Sequence, residues 1–205
     1  MFLFIQTLFR PMKPNRIYPF LNQFLSWQNR FQSTVGHSVA WLTLLLVVLA
    51  SLGVALRYGF DFSSTKLDES LLYVHGLIFM LGLAYTYQQN QHVRVDVFYE
   101  RASQQRKNWV NLLGAVFFVL PMMVFIIWSG WDYVAASWAI QERSADASGL
   151  AYIYLLKSVI LISAGLVLLQ TLAFIVQYSL ALFALDQLNP QAQAEAFQDN
   201  LQEGI

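Results

Sequence analysis

The sequence predicts an all-α integral membrane protein, with four transmembrane helices preceded by an N-terminal amphipathic helix at the membrane interface. Three observations carry that expectation. Of 205 residues, 57% are hydrophobic and only 12% charged; a soluble domain carries about 25% charged residues, so there is too little polar surface to cover a core in water. The apolar residues are gathered into four runs long enough to cross hydrocarbon roughly 30 Å thick. The third run carries tryptophans near both ends, as the two interfacial aromatic belts require. Twelve Lys and Arg balance twelve Asp and Glu, so net charge says nothing about an acidic partner. The absence of cysteine excludes disulfides, thiolate metal sites and cysteine catalysis.

The elements follow in order. Residues 1–34 form an arm that opens "MFLFIQTLFRPMKPNR". This does not read as a secretory signal, because its basic residues follow the apolar run. The stretch "IYPFLNQFLSWQNRF" places Phe20, Leu21, Phe24, Leu25, Gln28 and Phe31 near one helical face, with Asn22, Gln23, Asn29 and Arg30 mostly on the other. Pro19 suits its first turn. At about 12 residues the helix is too short to span, so it is expected in the interface; the alternative is that it opens the first span. The four-helix domain is expected over 35–185. Its first span, 38–56, is "SVAWLTLLLVVLASLGVAL", and its second, 70–87, is interrupted only by His75.

The third span, 108–131, is uncharged and contains Pro121, a candidate kink that membrane helices tolerate. Trp109 and Trp128 lie roughly 29 Å apart along a helix, and Trp131 follows one turn later. The helical pattern continues through Asp132 and Trp138 to about residue 140. The fourth span, 158–185, is long enough to tilt. A polar tail, 186–205, closes the chain.

Lys and Arg alternate between loops. The arm holds Arg10, Lys13, Arg16 and Arg30; the first loop Arg57 and Lys66; the second Arg94, Arg101, Arg106 and Lys107; the third Arg143 and Lys157. The richer segments are expected inside, which places both termini in the cytoplasm and the first and third loops outside.

The second loop, "QQNQHVRVDVFYERASQQRKNW", is the most polar internal stretch. Its alternation from His92 to Val97 suits a short extended segment. Arg101, Arg106 and Lys107, with Trp109, Trp128 and Trp131, are expected to anchor the chain to lipid headgroups. Four basic residues diluted by Asp96 and Glu100 make no phosphate track, so nucleic acid is not an expected partner. Of the three histidines, only His37 and His92 lie at a common depth for a shared haem, and no metal or cofactor is expected. On the second helix Asp68, Leu72, His75, Phe79, Gly82 and Thr86 share a face at a 3.5-residue repeat, beside Glu69, Tyr73 and Gly76. Small and polar residues on one face in lipid point to helix packing. Arg57, Asp132 and Lys157 are external ion-pair candidates, Asp132 with Lys157 for instance. No catalytic constellation is visible. The two halves show no repeat and nothing mid-membrane to coordinate an ion, so an accessory subunit is expected rather than a transporter by itself.

Several stretches resemble the small permease (Q) subunit of tripartite ATP-independent periplasmic (TRAP) transporters. They are "LRY" closing span one, the acidic start of span two at Asp68 and Glu69, "HVRVDVFYERASQQRKNWVNLLG", "WSGWDYVAASWAIQERS" and "YLLKSVI". The likeness covers roughly residues 35–185, with His92, Arg94 and Asp96 its most specific part. It implies a four-helix subunit of a bacterial inner membrane that braces a large permease subunit carrying the sodium and substrate sites. A periplasmic substrate-binding protein would deliver an organic acid. The resemblance places His92, Arg94, Asp96, Asp68, Glu69, His75 and Gly82 in subunit-interface or structural roles. The competing reading is a four-helix anchor or haem-carrying subunit of an oxidoreductase.

Overall fold

A computed structural model describes residues 17–92 and 102–185. Every regular element among them is helical. α1 runs Ile17–Phe60 and α2 Thr65–Gln88; α3, Gln104–Gly114, passes through a π-helical segment, Ala115–Val119, into α4, Leu120–Ala139; α5 runs Ile153–Leu185. Counting α3 to α4 as one rod, four helices are long and apolar enough to cross a membrane.

The amphipathic arm segment and the first span form one uninterrupted helix of 44 residues. No proline interrupts it after Pro19, and extending an existing helix costs far less than nucleating a second one. Leu21, Phe24 and Leu25 of the amphipathic face are half-buried and Gln28 is buried, whereas Phe20 points outward.

Pro121 explains the π segment. Its ring nitrogen has no hydrogen to give the carbonyl four residues earlier. The helix answers by widening: the Leu120 N–H reaches back five residues to the Ala115 carbonyl, so the disturbance is taken up within one turn.

Three helices end on a residue with positive φ: Asp61 (49°), Asn90 (57°) and Gln141 (46°). Two of these ends close by returning an N–H across five residues, Gln91 to the Thr86 carbonyl and Glu142 to that of Ser137, each at 3.0 Å. That pattern satisfies carbonyls a helix end would leave open.

α5 is the hub. It packs against α1, α2, α3, the π segment and α4, while α1 also pairs with α2 and α4 with α5. Its buried positions are mostly small or polar: Val159, Ser163, Ala164, Leu166, Gln170, Thr171, Ala173 and Leu182. Small residues let helix backbones approach where lipid gives no hydrophobic drive to association. α1 meets α2 in the same manner at Gly36, where a Cβ would collide with the Tyr85 ring.

Gly36→Leu should therefore drive a side chain into that ring and lower stability by about 1–3 kcal/mol, the usual cost of overpacking. Thermal unfolding in detergent measures it, and Gly36→Leu/Tyr85→Ala should recover part of the loss. An unchanged midpoint in the single variant would rule out the close approach.

Candidate functional site

The polar residues gather at the two ends of the bundle. At one end, the turn between α1 and α2 meets the loop between α4 and α5. Arg57 pairs with Asp68 at 3.3 Å, both half-exposed. Glu69, one residue on and half-buried, accepts a hydrogen bond from the Ser144 hydroxyl and another from the Leu150 N–H at 2.5 Å. The Ser148 hydroxyl donates to Thr65 Oγ1 at 3.1 Å. The start of α2 thus holds the α4–α5 loop, which folds on itself through the Ser144 N–H to the Leu150 carbonyl at 3.0 Å.

Lys157, in the first turns of α5, pairs with Glu142 at 2.5 Å and lies 4.1 Å from the centre of the Tyr133 ring. The expected partner, Asp132, is exposed beside Tyr133 and makes no ion pair with Lys157. The reason lies in the end of α4: its closing turn carries Glu142 back beneath the helix, whereas Asp132 projects from the outer face. Trp138 also donates its indole N–H to the Ser158 hydroxyl at 2.8 Å. The hydrogen bond from Lys157 holds the Glu142 carboxyl below its ordinary pKa.

At the other end the buried groups are carboxamides. The largest fully buried side chains are Gln28, Gln32, Gln170 and Thr171. Among the described residues the Gln28 and Gln32 amides have no partner on either atom, and Gln170 Oε1 has none. Helix register sets these residues at a common level. Gly36 faces Tyr85, the Gln88 amide donates to Asn29 Oδ1 at 3.1 Å, and Tyr87 meets Phe174 edge-on at 4.8 Å. The sequence pattern puts Gln28 on the apolar face of the arm helix but does not reveal the set. The signal was the run Gln28, Gln32, Gly36, Val39, which keeps one helical face and is buried throughout. Between the two ends, Ser163 of α5 donates to the Met80 carbonyl of α2 at 2.6 Å.

Apart from the Asp68–Arg57 pair, the six-residue face of α2 does not pack inside the chain. Leu72 and Phe79 are 63% and 62% exposed, Asp68, His75 and Thr86 are exposed too, and a Cβ on Gly82 would meet nothing within 4 Å. Trp109, Trp128 and Trp131 also point outward, with Arg106 exposed and Lys107 half-buried. Arg94, Asp96 and Arg101 lie outside the described residues. His37 meets the Tyr85 ring and His92 the Tyr87 ring. Those tyrosines are two residues apart, about 200° around the helix, so α2 separates the imidazoles and the structure does not bring them to one iron. Among the described residues no group of three His, Cys, Asp or Glu side chains is placed to hold a metal ion.

A family model described as "Tripartite ATP-independent periplasmic transporters, DctQ component" matches residues 45–180. The chain belongs to the DctQ family. It is a multi-pass membrane protein and the small permease component of a transporter. The match takes in the α2 face, the Glu69 and Lys157 contacts and the second loop of this DctQ component, but not the glutamines of α1. Comparisons with curated proteins and with solved structures gave no match.

Two outcomes follow from these contacts. A carboxyl whose folded pKa is lowered stabilises the fold above its unfolded value, near 4.5, and that contribution is lost as pH falls through the folded value. Thermal midpoints should therefore drop below about pH 4.5, and Glu142→Gln should flatten that part of the profile; an unaltered profile would show that the pair contributes nothing. Gln28→Leu and Gln32→Leu each remove a buried amide with no partner and should raise stability by about 1 kcal/mol. A lower midpoint would show that water pairs those amides.

Proposed function

We propose that this chain is the small membrane subunit that braces the large permease of a TRAP transporter. The system takes up an organic acid, driven by sodium, after a periplasmic binding protein has delivered it. In this reading the chain sits in the bacterial inner membrane with both termini in the cytoplasm, as the alternation of Lys and Arg favours. The substrate and coupling-ion sites belong to the large subunit.

The observation that supports the brace most directly is the unoccupied face of α2. A lipid-facing helix surface is ordinarily apolar throughout. This one sets Asp68, His75 and Thr86 among Leu72 and Phe79 and leaves a flat place at Gly82, the small-and-polar pattern by which membrane helices recognise one another. Its inner side is meanwhile fixed to α1 and α5, so a partner docking there meets a surface backed by the whole bundle. Arg94 and Asp96 follow that helix in sequence, and this reading gives them contacts to the same large subunit.

Co-purification from native membranes tests the reading. A many-span permease should come with the tagged chain in equal amount. Gly82→Leu should reduce that yield several-fold while changing the thermal midpoint of the isolated chain little, because a Cβ at this position meets nothing within 4 Å. Arg94→Ala/Asp96→Ala should weaken assembly or uptake without blocking membrane insertion. Normal yield and uptake in both variants would reject the brace.

A further inference from the structure

α1 carries an outward polar stripe that the brace does not use. Asn29, Ser33, His37 and Trp41 follow one another at intervals of four residues, with Arg30, Thr34 and Ser38 alongside, so all seven share a face. They line an open groove of roughly 680 Å³. Trp41 is 74% exposed, and Arg30, Thr34, His37 and Ser38 are exposed as well. α2 borders the groove through Tyr85, edge-on to His37 at 5.9 Å, and through Gln88, bonded to Asn29.

Several groups of the stripe are already bonded to their own helix. Thr34 and Ser38 each donate a hydroxyl to the carbonyl four residues back, at 2.9 Å, and His37 Nδ1 lies 2.6 Å from the Ser33 carbonyl. What remains outward is the Arg30 guanidinium, whose fork of donors matches an oxyanion. No described residue pairs with it. The first 60 residues contain no Asp or Glu, so no carboxylate of α1 competes for it. Its exposed fork of donors therefore offers an anion of another molecule a place to bind.

Depth says which. From Asn29 to Trp41 the stripe covers about 18 Å of helix. Its cationic end lies before the first apolar run, and its tryptophan end lies within it, where Leu44, Leu45 and Val48 continue the exposed surface. A headgroup followed by the upper part of an acyl chain has that order of chemistry and about that length. The geometry points to a binding site for one anionic phospholipid, its phosphate at Arg30 and Asn29 and its acyl chain over Trp41. The site depends on this helix face alone, so it stands whether or not the brace does.

Native mass spectrometry of the full-length chain, released from detergent with added phosphatidylglycerol or phosphatidylcholine, tests it. The wild type should retain phosphatidylglycerol in preference to phosphatidylcholine. Arg30→Gln should need about five-fold more phosphatidylglycerol for the same occupancy, the effect of one interfacial charge. Arg30→Lys should keep most of the binding, and Arg143→Gln, which removes an exposed charge elsewhere, should behave as wild type. Equal retention by wild type and Arg30→Gln would overturn the site. So would displacement by millimolar inorganic phosphate, which would make it a free-anion site. A co-purified permease lost from Arg30→Gln with lipid retention unchanged would assign the face to protein and overturn it too. Should Arg30→Gln fail to fold, a wild type that holds the two lipids equally well is enough to refute it.

Discussion

Hydrocarbon offers a backbone amide nothing to bond with, and most of this structure can be read as a response to that. Every described span is helical because only a helix satisfies its own N–H and C=O groups within one segment. Where Pro121 removes a donor in the third rod, the chain stays helical and changes its hydrogen-bond step at Ala115–Val119. Where α2 and α4 end, a left-handed residue turns the next N–H back onto an open carbonyl. The second closure also fixes Glu142, and through Glu142 it fixes Lys157 and the start of α5.

With the backbone satisfied, side chains decide how the rods associate, and here the usual sorting is reversed. Leucine, valine, phenylalanine and tryptophan occupy the outside, while the fully buried large side chains are three glutamines and a threonine. Lipid explains the outside, since an apolar group gains nothing there by moving inward. α5 explains the inside: it touches every other helix, and its serine and alanine positions permit the approach. The bundle is tied at one end by ionic and hydroxyl contacts around Glu69 and Lys157, and at the other by close packing around Gly36 and the Gln88–Asn29 bond. Ties at both ends make a stiff unit.

The spans were legible because hydrophobic length is a one-dimensional property, and charge-free runs near 20 residues have few other meanings. The continuation of the third rod past Asp132 was legible for the same reason, its helical period persisting to residue 140. The union of the arm with span one is only one of two readings the sequence allows, since amphipathic and uniformly apolar patterns look like two elements even when no residue between them breaks a helix. Pro121 announced a disturbance but not its form. The pairing of Lys157 with Glu142 depends on how a helix end turns in space, and no spacing rule supplies that. The α2 face was visible as a periodic set, but periodicity alone does not say whether such a face looks inward or out; only the packed neighbours show that it looks out.

The continuous α1 helix has a mechanical consequence. Forty-four residues make a rod about 66 Å long, more than twice the hydrocarbon thickness. The portion ahead of the first apolar run extends about 30 Å, so a 10° change of tilt in the bilayer would sweep its tip through roughly 5 Å. Because no hinge separates the two portions, α1 acts as a lever: small rocking of the bundle is delivered, enlarged, to the Ile17 end of the helix.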